Sequence, residues 1–315
     1  VTPMIRSLTV GDAVVGAAAP VVSIAPVVLD GGDRGLDLHV RVSAAATGDR
    51  LPVILFSHGY GSSGDMYQPL ADFYAAHGFV VLQPTYLDSR TVGLDRRDPR
   101  AARFWRHRID DAKRVLDNVD HLAAAVPGLA GRVDRGRIAA AGHSFGGQTT
   151  GLLLGLRVQA PAGTGEDMSD PRVQAGVLLA TAGRGEGDLA PGVIGDLPWL
   201  NATFDRMTRP ALVVYGDRDQ NPLTTRGPDW GADPYHLAPG PKSLLTLSGA
   251  EHSLGGAVGY DSVETTDDNL ATVAVLQRLT TAYLRTTLGV DDAAWPRAVA
   301  QLRADSADRG TVDSK

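Results

Sequence analysis

Residues 137–156 carry the arrangement that most narrows what this chain can fold into. Arg137-Ile138-Ala139-Ala140-Ala141 is a short apolar run, the pentapeptide Gly142-His143-Ser144-Phe145-Gly146 follows, and Gly147 to Leu156 is small and aliphatic. The first piece reads as a buried strand, the last as a helix packed back on it, and the pentapeptide as the sharp turn between them, with the pattern G-x-S-x-G. A turn that tight strains the backbone of its central residue and tolerates only small neighbours, which Gly142, Gly146 and Gly147 supply. Ser144 is thereby expected at the carboxyl edge of a sheet, above a helix N-terminus whose partial positive charge favours a developing oxyanion.

The remaining pattern repeats this strand-and-helix alternation. Val21–Leu29 and Leu36–Val42 read as two strands joined by the turn Asp30-Gly31-Gly32-Asp33, and Leu51–Phe56 as a strand buried on both faces. The polar loop Ser57-His58-Gly59-Tyr60-Gly61-Ser62-Ser63-Gly64 follows it, then a helix over Asp65–Ala76 and a strand over Phe79–Leu82. Asp98-Pro99 starts a helix whose apolar stripe is Trp105, Ile109, Ala112, Leu116, Val119, Ala123 and Val126, ended by Pro127-Gly128. Val177–Ala180, Ala211–Tyr215 and Ser243–Leu247 are further strands, and Leu270–Leu288 is a helix. Gly183–Met207 shows no period, and the stretch beyond Asp291 reads as one short helix and a polar, frayed end. The alternation predicts an α/β fold: a mostly parallel central sheet, helices on both faces, and an antiparallel N-terminal edge. One domain over residues 1–315 is expected, with its core at about 21–288 and the C-terminal helix and polar tail at 291–315.

Composition removes several classes of function. The net charge of −6 disfavours a nucleic-acid partner, and the arginines from Arg90 to Arg108, interleaved with Asp95, Asp98 and Asp110, read as a solvated helix face. The chain has no cysteine, which excludes a disulfide framework, a thiolate zinc site and a cysteine nucleophile. Ala13–Leu29 is apolar but interrupted by Pro20 and Pro26, so it reads as a strand region rather than a membrane span or signal, and cytoplasmic residence is the expectation. Glu166, Asp167, Asp170, Asp261, Glu264, Asp267 and Asp268 lack the ordered spacing of a calcium loop and read as surface acids and a helix cap, so no metal and no cofactor are expected.

Ser144 is inert as an alcohol near neutral pH; it needs a base, and the base needs an orienting carboxylate. Tyr215-Gly216-Asp217-Arg218-Asp219 and Gly249-Ala250-Glu251-His252-Ser253 each follow an apolar strand and fall at the same sheet edge as Ser144. Asp217 and Asp219 compete for the acid position, and Glu251 is expected to face solvent. His58 is expected to brace its loop and His143 to pack away from the serine. His39, His77, His107 and His121 read as surface or helix-face residues; His236 has a place in a pocket as an alternative. Trp199, Trp230 and Tyr235 are the large aromatics of the segments 183–207 and 221–241, which should lie over the site and receive an apolar or aromatic substrate group.

From Val21 to Leu288 the chain resembles an α/β-hydrolase. Phe56-Ser57-His58-Gly59-Tyr60 and Gly142-His143-Ser144-Phe145-Gly146-Gly147 resemble a group comprising the platelet-activating-factor acetylhydrolases, chlorophyllases, dienelactone-hydrolase-like proteins and bacterial cutinases or polyester hydrolases. The resemblance implies a serine carboxylic-ester hydrolase acting on a small-molecule ester, with Ser144 as nucleophile, His252 as general base and Asp219 as orienting acid. It also implies that the backbone N–H groups of Tyr60 and Phe145 form an oxyanion hole. Short- to medium-chain or aromatic esters are the expected substrates. The alternatives are a phospholipid acetylhydrolase, a chlorophyllase-like or polyester hydrolase, and a catalytically silent binding protein of the same fold. Departures from the group are visible: Leu179-Ala180-Thr181 carries no acid where the animal acetylhydrolases have theirs, and Thr181-Ala182-Gly183 lacks the tryptophan of the polyester hydrolases.

Overall fold

The computed structural model describes residues 12–95, 97–159, 165–259 and 267–315. Among these residues eleven strands run in chain order: β1 (Val21–Leu29), β2 (Leu38–Ala45), β3 (Leu51–Ser57), β4 (Val80–Pro84), β5 (Val133–His143), β6 (Arg157–Val158), β7 (Val173–Leu179), β8 (Ala202–Thr203), β9 (Ala211–Gly216), β10 (Lys242–Leu247) and β11 (Gly310–Ser314). Nine of them form one sheet in the order β1-β2-β4-β3-β5-β7-β9-β10-β11; β6 and β8 pair separately. The six strands from β4 to β10 are parallel, while β1, β2 and β11 are antiparallel to their neighbours.

β3 shows why the centre is parallel and covered on both sides. Every one of its residues is buried. Because successive side chains point to opposite faces, Ile54 and Phe56 enter one core and Val53 and Leu55 the other. The first core is closed by the helices Gln68–Ala76, Leu270–Thr287 and Ala294–Asp305, the second by Phe104–Asp117, Val119–Ala124 and the far end of Phe145–Leu154. This is the α/β-hydrolase architecture with its antiparallel N-terminal edge.

Several boundaries depart from the sequence reading, each for a local reason. The long helix predicted from Asp98 divides: a 3₁₀ turn at Ala101–Arg103, then Phe104–Asp117, then Val119–Ala124. The break falls at Asn118, whose side-chain amide donates to the Arg114 carbonyl at 2.8 Å and competes with the helical ladder. The helix expected from Asp65 begins at Gln68, because Tyr67 sits at φ 67° in the left-handed region. The polar end is the largest difference. Rather than fraying, Gly310–Ser314 adds an antiparallel edge strand to β10, with Val312 opposite Leu245 and the Ser243 and Ser314 hydroxyls 2.9 Å apart. The open edge of β10 offers unpaired backbone groups, and Val312 buries its side chain there. One apolar residue in five is too weak a pattern to announce a strand.

Candidate active site

The turn between β5 and the helix Phe145–Leu154 has the strain expected of it. Ser144 lies at φ 55° and ψ −118°, and its N–H donates to Leu179 O at 2.8 Å. That conformation persists because its surroundings over-determine it. A Cβ on Gly142 would sit 2.2 Å from Gly146 O, and one on Gly146 would sit 2.0 Å from Ser57 O, so neither position admits a side chain.

Three loops that leave the carboxyl ends of β5, β9 and β10 then converge. The Ser144 hydroxyl is 3.0 Å from His252 Nε2, and His252 Nδ1 is 2.8 Å from Asp219 Oδ2. A carboxylate only accepts, so the Asp219 side assigns the proton to Nδ1 and leaves Nε2 to accept from the serine hydroxyl. Asp217 is exposed and accepts from Gly249 N–H at 2.7 Å, bracing the turn that follows β10 rather than touching the histidine. The loop holding His252 is itself pinned by Asp267, which accepts from the N–H groups of Glu251 at 2.7 Å and Gly255 at 2.9 Å and from the Ser253 hydroxyl. Asp267 reads as a surface acid from sequence; its place is under the candidate base.

The two remaining histidines of the site are buried and neutral. His58 has its Nδ1–H on Gly59 O at 2.6 Å, while Nε2 accepts from Tyr86 N–H at 3.0 Å. Burial, reinforced by the charge of Arg108, pushes it down to about 3. His143 has Nε2–H donating to the His252 carbonyl at 2.7 Å, so Nδ1 accepts from the Tyr67 hydroxyl at 3.0 Å, and Tyr67 in turn accepts from Gly59 N–H at 3.0 Å. Burial, with the neighbouring charge of His252, pushes His143 down to about 3 as well. The Tyr67 hydroxyl and the His143 ring together thus link the loop after β3, the end of β5 and the loop after β10.

Beneath the loop after β3 lies an ion pair that the sequence reading missed. Arg108, assigned there to a solvated face, is 1% exposed and pairs with Asp88 through Nε at 2.8 Å and Nη2 at 2.7 Å. Burial pushes the Asp88 carboxyl up, but the charge and hydrogen bonds of Arg108 outweigh it and hold the group below the usual carboxylate range. The signal was positional: Arg108 lies three residues past Trp105 and four before Ala112, beside the apolar stripe of its helix.

Above the serine is a cleft of about 610 Å³ whose walls include Tyr60, Phe104, Phe145, Leu197, Trp199 and Leu223. The Phe145 and Trp199 rings stack with centroids 5.8 Å apart. Segments 183–207 and 221–241 both contribute, tied together by Arg226 to Asp188 at 3.1 Å and by Asp233, which accepts from Arg184 N–H at 2.8 Å. Of the three aromatics singled out in the sequence, Trp199 lines this cleft. Trp230 and Tyr235 do not: Trp230 is 2% exposed with its indole N–H on Arg184 O, and Tyr235 packs beside Val213, Ala232 and Leu244 with Lys315 over its ring. Both serve to anchor the overlying segment. His236 is exposed and also outside the cleft. His77, read as a surface or helix-face residue, is buried at the end of its helix, stacked on Phe73.

Among the described residues no group of three or more His, Asp or Glu side chains is arranged to hold a metal ion. Glu166 pairs with Arg106, Asp167 with Arg157 and Asp170 with Arg172; Asp261 and Glu264 lie outside the described residues. No helix among the described residues is long and apolar enough to cross a membrane.

The sheet order and the strained serine turn are those of the α/β-hydrolase fold. Comparison with known proteins agrees. Residues 36–161, from β2 through the helix after Ser144, match the chlorophyllase family model. Among curated proteins, the chain is 29% identical to a platelet-activating factor acetylhydrolase of Cavia porcellus over 34% of this chain and 32% of that protein. It is 23% identical to the platelet-activating factor acetylhydrolase of Canis lupus familiaris over 79% of this chain and 60% of that one. The matched region therefore spans less than two thirds of either relative's length.

Proposed function

We propose that this protein is a serine carboxylic-ester hydrolase. The observation that carries the reading is the unbroken line from Asp219 through His252 to the Ser144 hydroxyl, at contacts of 2.8 and 3.0 Å, on the floor of an apolar cleft. In this reading Ser144 Oγ attacks the ester carbonyl while His252 Nε2 takes its proton. Asp219 stabilises the resulting imidazolium without itself being protonated. The tetrahedral oxyanion accepts hydrogen bonds from the N–H groups of Tyr60 and Phe145. Phe145 is the first residue of its helix, so its N–H has no intrahelical partner, and no described residue takes the N–H of Tyr60. His252 returns the proton to the departing alcohol, and a water activated by the same histidine then cleaves the acyl-enzyme.

The cleft volume and its phenylalanine, tryptophan and leucine walls suit short- to medium-chain or aromatic esters. The names of the matched relatives favour a second reading, an acetylhydrolase acting on platelet-activating factor. Turnover of p-nitrophenyl acetate by wild type and Ser144→Ala, with fluorophosphonate labelling of both, tests the chemistry. The expected result is labelling of wild type alone and loss of roughly 10⁴-fold or more in kcat. Equal turnover by the two proteins sinks the assignment, and a wild type that neither turns over nor labels marks a binding protein of the same fold. Relative rates on p-nitrophenyl acetate, octanoate and platelet-activating factor then separate the two substrate readings.

A further inference from the structure

The candidate oxyanion donor at Tyr60 belongs to a loop with no regular secondary structure, yet such a donor must be fixed to a fraction of an ångström. The guanidinium of Arg108 is positioned to do this. Its centre lies 4.6 Å from the Tyr86 ring and 4.2 Å from the Phe145 ring, so the group is held between two aromatic faces. Its edge is used in two directions. Nε and Nη2 grip both oxygens of Asp88. Nη1 donates to His58 O at 2.7 Å and Nη2 to Gly59 O at 3.2 Å. Asp88 Oδ2 also accepts from Gly61 N–H at 3.2 Å, so the pair holds the chain on both sides of Tyr60.

Peptide geometry turns that grip into an orientation. In a trans peptide the C=O of one residue and the N–H of the next point in opposite directions. With the Gly59 carbonyl held by Arg108 and by the His58 Nδ1–H at 2.6 Å, the Tyr60 N–H must point away from both. Energetics point the same way. Both side chains of the pair have no exposed surface. Burying two charges carries a large desolvation cost, and an apolar pair of similar volume would often be as stable. Stability alone therefore gives little reason for a guanidinium here, whereas the fork geometry of its five N–H groups suits two carbonyls and a carboxylate at once.

We infer that Arg108 and Asp88 are positioning residues for the oxyanion hole: they aim the Tyr60 N–H by fixing the peptide planes on either side of it. The inference rests on the ester-hydrolase reading. Its signature is specific. An aimed donor matters more to a tetrahedral oxyanion than to a planar ester, so its misplacement weakens binding of the former.

The test compares wild type, Arg108→Lys and Asp88→Asn, each titrated for active sites with a fluorophosphonate. Two quantities are read: KM for p-nitrophenyl butyrate, and Ki for an alkyl trifluoromethyl ketone, which forms a tetrahedral adduct with a serine hydroxyl. Lysine keeps the charge and loses the fork; asparagine keeps the volume and loses the ion pair. Expected is a rise in Ki and a fall in kcat of about 10- to 100-fold, with KM within about threefold and the acid limb of the kcat/KM pH profile unmoved. Ki and KM shifting together, Ki not shifting, or neither variant yielding probe-reactive protein overturns the inference and leaves the pair a folding element. A wild type without turnover or labelling instead removes the hydrolase reading itself, a result seen before any variant is made.

Discussion

The Tyr67 hydroxyl offers a single-atom test of how the loops of the site are joined. Tyr67 is 1% exposed; its ring packs on Phe56 with centroids 5.1 Å apart, and its hydroxyl accepts from Gly59 N–H and donates to His143 Nδ1, both at 3.0 Å. Tyr67→Phe keeps the ring and removes the oxygen. The Gly59 N–H and the ring nitrogen of His143 are then left buried without that partner. Each such group costs about 1–2 kcal/mol, so the expected loss is about 2–4 kcal/mol. It reads out as a lower urea midpoint with an unchanged slope, since the surface exposed on unfolding is the same. Turnover of p-nitrophenyl acetate should fall about tenfold, because Gly59 precedes the candidate oxyanion donor and small misplacements there are costly. A stability loss under about 0.5 kcal/mol refutes the reasoning, since it means the two groups find other partners and the hydroxyl does not join the loops.

Two further perturbations follow from the site. His58 and His143 both have folded values pushed down to about 3, below the unfolded value of about 6.5. The unfolded chain therefore binds more protons between those limits. The contribution is complete above pH 6.5 and is lost as pH falls toward 3, at about 1.4 kcal/mol per pH unit for each histidine. Urea midpoints should drop steeply from pH 6.5 to 4.5; a flat profile over that range contradicts the buried neutral state. Trp199→Ala removes the ring stacked on Phe145 in the cleft wall, and should raise the ratio of p-nitrophenyl octanoate to acetate turnover about tenfold while costing about 3 kcal/mol of stability. An unchanged ratio places the acyl group elsewhere.

The parallel sheet and its layers were legible along the chain because a strand buried on both faces reads as an apolar run. Leu51–Ser57 is of this kind, and so is the run at 138–141. The turn around Ser144 was legible for a steric reason, as no larger residue fits where Gly142 and Gly146 pass within contact of Ser57 O and of one another. The approach of Ser144, His252 and Asp219 could be anticipated from their common position just past strand ends. Which carboxylate would face the ring could not be read from chemistry alone: Asp217 and Asp219 are the same residue type two positions apart, and only the path of the loop turns one toward His252 and the other toward Gly249.

What the sequence determined by itself is the order and type of the central strands and the helices that flank them, because propensity, periodicity and glycine sterics are local. What the tertiary structure alone decided is the company kept by the polar residues. Arg108 looks like one more surface arginine until Asp88, twenty residues away, meets it in the interior. Asp267 looks like one more surface acid until the loop carrying His252 folds onto it. The strand Gly310–Ser314 looks like a tail until the edge of β10 needs a partner. In each case the stabilising group lies far along the chain, so its effect exists only once the backbone has brought the two together.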